Sequence, residues 1–172
     1  MKLDILQFPD PKLKEIGLPV KKFDASLHKL LDDMAETMYA ADGIGLAATQ
    51  VDKKLRLFVI DIGEQEDEDG NVTPRKLYEF INPVLSKGAG KITFEEGCLS
   101  VPNFTDEVTR KERIVAKYQD RHGVPQTLEA EDLLAVCIQH EHDHLDGIVF
   151  VDRLSPLKRR MARRKIERAV SL

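Results

Sequence analysis

The spacing of apolar positions changes along the chain, and each change predicts an element. Leu27, Leu31, Met34 and Met38 recur at steps of four, three and four, with Lys29, Asp32, Asp33 and Glu36 between them. That spacing predicts an amphipathic helix from Ser26, capped by Asp24 or Ser26 and stopped at Gly43. Residues 10–21 hold Pro11, Gly17 and Pro19 and predict an irregular arm before it. The apolar run Leu57-Phe58-Val59-Ile60 predicts a strand over Arg56–Ile62. Glu64–Asp69 is acidic, ends in Gly70-Asn71, and predicts an exposed hairpin-like loop.

Leu77–Ile81 reads as a further strand ended by Asn82-Pro83, and Lys91–Glu95 and Ile114–Tyr118 as two more. Gly123 marks a turn before a short extended stretch at Gln126–Leu128. Glu129–Leu145 then carries a long helical pattern closed by Asp146-Gly147. Ser155-Pro156 opens a last helix, with serine as cap and proline in the first turn, running to about residue 170. No linker splits residues 1–172, so one domain is expected. The order of helix, several strands, helix and helix predicts an α+β fold.

Composition narrows the class. The chain has 172 residues, 42% hydrophobic and 33% charged, which suits a folded domain with a well-solvated surface. No run approaches the ~18 apolar residues of a membrane span, so no membrane partner is expected. The first ten residues contain Asp4 and no long apolar stretch, and show no secretory signal. Cys98 and Cys137 are too few for a disulfide scaffold and fit a reducing compartment, the cytoplasm. The net charge of −4 is unevenly spread. Residues 153–172 hold eight basic residues against Glu167 alone, so a basic tail follows an acidic body.

The strongest chemical signal is His140-Glu141-His142-Asp143-His144, an H-E-x-x-H pattern within the predicted second helix. Residues i and i+4 lie about 40° apart around a helix and about 6 Å apart along it, so His140 and His144 can grip one ion. Glu141 sits close enough to reach a water held there. His142 points away and is expected to be solvated. A catalytic metal takes three protein ligands and keeps one position open, so a third ligand is missing from the helix. Cys137 shares the face, but seven residues separate it from His144, about 10 Å along the axis, which is too far for both to bind one ion. Cys137 therefore reads as a small buried hydrophobe. Cys98 follows a predicted strand and Gly97, and is either the third ligand, which is favoured, or a core thiol.

Three segments together resemble the signature motifs of the peptide deformylases: Gly43-Ile44-Gly45-Leu46-Ala47-Ala48-Thr49-Gln50, Glu96-Gly97-Cys98-Leu99-Ser100, and Gln139-His140-Glu141-His142-Asp143-His144. Their order and spacing match, and flanking segments such as Ile81-Asn82-Pro83 and Leu154-Ser155-Pro156-Leu157-Lys158 resemble the bacterial type. The resemblance implies an α+β fold with antiparallel strands around a central motif helix and a C-terminal helix. It implies an enzyme that removes the formyl group from the N-terminal formylmethionine of new polypeptides and releases formate. Cys98, His140 and His144 would bind one divalent metal, ferrous iron by preference, with zinc, nickel or cobalt able to substitute. Glu141 would be the general base and acid. Gln50 and the Leu99 N–H would stabilise the oxyanion, and Gly45 would contact the substrate backbone. The basic helix would meet the ribosome. Two departures stand out: Thr49 replaces a common proline, and Thr105 stands where many members carry an arginine at the site mouth.

Overall fold

The computed structural model describes residues 1–170. Helix α1 spans Ala25–Ala40 and α2 Asp132–Leu145; α3 covers Pro156–Val170. Between α1 and α2 run strands β1 (Gly45–Ala47), β2 (Leu57–Ile60), β3 (Gln65–Glu66), β4 (Val72–Thr73), β5 (Tyr78–Ala89), β6 (Ile92–Cys98), β7 (Val101–Arg110), β8 (Arg113–Gln119) and β9 (Pro125–Glu131). Five of them form an antiparallel sheet in the order β1-β2-β5-β8-β9. The pairs β3–β4 and β6–β7 are separate two-stranded hairpins. This is the α+β arrangement that the pattern predicts.

Strand β2 divides the core. Leu57 and Val59 pack with Leu27, Leu31, Met34 and Met38 of α1. Phe58 and Ile60 point the other way, to Ala135, Ile138 and Leu145 of α2. The side-chain alternation of a strand thus places one helix on each face of the sheet. A third apolar cluster joins Val101 and Val108 of β7 to Phe150, Val151 and Leu154, and to Ala162 and Ile166 of α3. Asp24 caps α1, its carboxylate accepting from Leu27 N at 3.1 Å. Gly147 closes α2 at φ +73, where any Cβ would strike the Lys14 carbonyl.

The structure departs from the pattern in four places. Pro83 does not end a strand: β5 runs on through a bulge, with Asn82 at φ 52. The Asn82 side chain is spent on fixing the arm, accepting from Val20 N at 2.8 Å and donating to Val20 O at 2.9 Å. Residues 129–131 belong to β9, not to α2, because Asp132 adopts φ 53 and turns the chain there. The whole of β7 carries no clear apolar alternation. Its hairpin with β6 leaves most of its side chains outside the core. Fourth, the arm contains a single helical turn at Pro11–Lys14. Upstream of it, Leu6 N donates to Gln50 O and Phe8 N to Ser100 O, both at 2.7 Å.

Candidate metal centre

Three segments meet on one side of the sheet. The helical turn Ala48–Val51 follows β1 and presents Gln50. Gln50 Oε1 accepts from Ala47 N at 2.9 Å, which fixes the amide so that its NH2 donates to Ser100 Oγ at 3.0 Å and faces Cys98 Sγ at 3.4 Å. Cys98 closes β6 at a tight turn, since Cys98 pairs with Val101 and only Leu99 and Ser100 lie between. Helix α2 supplies His140, Glu141 and His144, all buried.

One ligand atom from each of Cys98, His140 and His144 lies within 4.8 Å of the other two. Among the described residues no other group of three His, Cys, Asp or Glu side chains is so placed. Cys137 stays outside the group and buried, and burial pushes its thiol well above the usual range. Cys98 Sγ stands 3.3 Å from His144 Nε2. His140 Nδ1 lies 2.8 Å from Glu96 Oε1. An ionised carboxylate only accepts, so Nδ1 carries a proton, and Nε2 faces the cluster, where a cation can take the place of the second proton. Burial, and then the charge on His140, hold His144 well below the usual histidine range and keep it neutral. Burial works the same way on His140, but the hydrogen bonds to Cys98 and Glu96 outweigh it and push that ring up. A site whose anionic neighbours pull a proton onto a buried imidazole is one that attracts a cation. Two neutral-capable imidazoles and a thiolate suit a transition metal.

Glu141 completes the arrangement. Its Oε1 lies 3.9 Å from His140 Nε2, and its Oε2 is buried without a hydrogen-bond partner among the described residues. Burial raises its carboxyl to about 7 in the absence of a cation. Gly45 packs directly against it. A cavity of about 580 Å³ opens onto these groups, lined by Gly45, Gln50, Cys98, Leu99, His140 and Glu141, with Ile44, Leu133, Val136 and Cys137 as apolar wall. Thr105 stands at its rim, donating to Glu95 Oε1 at 2.8 Å. His142 is not solvated as expected: it is half-buried on the far face of α2, and burial lowers its pKa.

A buried ionic chain behind His140 has no counterpart in the sequence reading. Glu96 accepts from Arg110 Nε at 2.6 Å and Nη2 at 3.0 Å. Arg110 Nη1 donates to Asp143 at 2.9 Å, and Arg153 grips Asp143 through Nε at 3.0 Å and Nη2 at 2.7 Å. Burial pushes the Glu96 and Asp143 carboxyls up, but these partners outweigh it and hold both below the usual range. Arg110 reaches Glu96 across the β6–β7 hairpin, so finding it requires β7, which the pattern hides.

An H-E-x-x-H helix with a thiol from a neighbouring hairpin, facing a cavity beside an orphaned carboxylate, has the donor set and layout of a candidate metallohydrolase centre. The polypeptide deformylase family model matches residues 2–160. A peptide deformylase of Chromobacterium violaceum is 52% identical over 166 residues, covering 96% of this chain and 95% of that relative. Among solved structures, a peptide deformylase from Legionella pneumophila shares 46% identity at a TM-score of 0.87, covering 99% of this chain and 96% of that one. One from Ehrlichia chaffeensis shares 38% identity at a TM-score of 0.91, covering 99% and 98%. The chain belongs to the peptide deformylase family and is an enzyme of that kind.

Proposed function

We propose that this chain is a metal-dependent hydrolase that removes the formyl group from the N-terminal formylmethionine of newly synthesised polypeptides. The observation that carries the reading is the convergence of Cys98, His140 and His144 beside a buried Glu141 on one cavity. Cys98, His140 and His144 hold one divalent ion, ferrous iron in the native enzyme, with zinc, nickel or cobalt as substitutes. When bound, that ion supplies Lewis-acid polarisation of water and of the formyl carbonyl.

The chain's own residues do the rest. Glu141 takes the proton of the attacking water and passes it to the departing amine. The Gln50 amide N–H and the Leu99 N–H meet the negative charge that develops on the carbonyl oxygen. Gly45 lets the substrate backbone approach, and Ile44, Leu133, Val136 and Cys137 receive the methionine side chain. Residues 1–172 act as one catalytic domain of the cytoplasm. The basic α3 meets the ribosome, where formylated chains emerge.

The deciding measurement is product analysis by mass spectrometry on a formyl-methionyl tripeptide and an unformylated control. The reading requires formate release from the first and no cleavage of internal peptide bonds in either. Internal cleavage would mark a peptidase instead.

A further inference from the structure

A second cavity, of about 370 Å³, lies on the other side of α2. Gln139, His142 and Asp143 line it and share one helix face, about 120° round from His140 and His144. It is therefore separate from the candidate metal centre. Its walls carry Lys91, Arg110, Lys111 and Arg153 against Asp143 as the single carboxylate, a net positive lining in a chain of net charge −4.

The ion pairs account for only part of that charge. Arg110 and Arg153 are balanced by Glu96 and Asp143. Lys91 and Lys111 have no carboxylate partner among the described residues. Lys111 is not a loose surface side chain at its root, because Gln139 clamps its backbone. Lys111 N donates to Gln139 Oε1 at 3.1 Å, and Gln139 Nε2 donates to Lys111 O at 2.8 Å. The guanidinium groups also have hydrogens to spare. Arg110, almost fully buried, uses three of its five N–H groups on Glu96 and Asp143, and Arg153 uses two on Asp143. Two excess point charges beside two prefixed forks of N–H donors form a receptor for a tetrahedral oxyanion.

We propose that this cavity binds a phosphate-class anion, held by Lys91 and Lys111 and oriented by the spare N–H groups of Arg110 and Arg153. The ligand is either a free phosphate or a phosphodiester of a polynucleotide. Either would sit against the ionic chain that ends on His140.

The test uses the full-length, zinc-loaded protein and nuclear magnetic resonance of backbone amides and arginine side-chain N–H groups. It is titrated in separate arms with inorganic phosphate and with a short single-stranded oligoribonucleotide. Saturable shifts are expected at Arg110 and Arg153 and at Gln139, His142 and Asp143, weakening as salt is added. The variant K91E/K111E should bind at least about tenfold more weakly, reflecting two reversed charges near the ligand. Its formyl-peptide turnover should be unchanged, which shows that it is folded. Saturation by phosphate alone assigns a small anion; saturation by the oligonucleotide at lower concentration assigns a phosphodiester. The proposal is overturned if neither probe shifts Arg110 and Arg153, if K91E/K111E binds as the parent does, or if the shifts cluster around Cys98 and His140 instead. Loss of deformylase activity in the parent protein would overturn the catalytic reading and leave this one standing.

Discussion

Gly45 lies directly against the Glu141 carboxylate: a Cβ built on Gly45 would stand 2.5 Å from Oε1 and 2.9 Å from Cδ. The backbone there is ordinary, so the glycine is required by closeness and not by torsion. Gly45→Ala should push Glu141 out of place while leaving the three ligand side chains where they are. A displacement of about 1 Å costs on the order of 100-fold in rate. We expect kcat to fall by about that factor with one metal per chain retained, measured by formate release beside metal analysis. Full activity would show that Glu141 tolerates the shift.

Glu141→Gln keeps the shape and removes the proton carrier. Turnover should drop by about 10²–10⁴-fold with metal content unchanged. A variant that retains more than a tenth of the activity would place the proton transfer elsewhere.

The two cysteines should separate cleanly. Cys98→Ala removes a donor from the cluster and should lose metal on dialysis. Cys137→Ala removes only buried wall, so metal stays and the fold loses about 1–2 kcal/mol from the vacated volume. Metal analysis together with urea unfolding distinguishes the two outcomes.

Much of this is legible in the sequence. The four-three-four spacing of Leu27, Leu31, Met34 and Met38 marks α1 because that helix buries one stripe only. The histidines of α2 are legible because a helix brings residues four apart together. What the pattern hides is long-range or two-sided. Strand β7 rests in a hairpin outside the main sheet, so its polar residues need not alternate. Without β7, nothing connects Arg110 to Glu96, although Glu96 is a neighbour of the legible Cys98. The turn at Asp132 is equally silent, since an aspartate at φ 53 looks like an ordinary helix start.

Asp61 offers a pH test remote from the metal centre. Its buried carboxylate accepts from Tyr39 Oη at 2.6 Å, Gly63 N at 2.9 Å and Arg75 Nε at 3.2 Å. Burial pushes this carboxyl up, but the three donors outweigh it and hold it below its ordinary 3.8. Burial and then Asp61 push Tyr39 up to about 12. The Asp61 contribution to stability is therefore complete above the unfolded value and lost as pH falls through the lower, folded one. Asp61→Asn should be less stable than the parent at pH 7, and the gap should narrow below about pH 4. Tyr39→Phe should cost about 1 kcal/mol at neutral pH through the lost hydrogen bond. Denaturation curves at a series of pH values check both; a gap that stays constant down to pH 2 would show the carboxylate contributes nothing.

Helix α3 is both structural and charged. Ala162 and Ile166 are buried against the body, so truncation would open the core. Charge reversal is the cleaner probe. Arg160, Arg164 and Arg168 are exposed, and changing all three to Glu should sharply weaken salt-sensitive co-sedimentation with ribosomes. Turnover of a short formyl peptide should be unaffected. Unchanged co-sedimentation would remove α3 as the tether.

The arm described above has a consequence for the life of the chain during synthesis. Leu6 is made early, yet its N–H group stays with water until Gln50 exists, and that of Phe8 until Ser100 does. His140 and His144 come later still. The arm, the glutamine turn, the cysteine hairpin and the histidine helix are thus contributions from widely separated stretches, and each closes a long loop that local structure cannot anticipate. A chain that ends short of residue 144 cannot bring Gln50, Cys98, His140 and His144 together; the grouping forms only after the last of these histidines has emerged and the oldest residues have returned to Gln50 and Ser100.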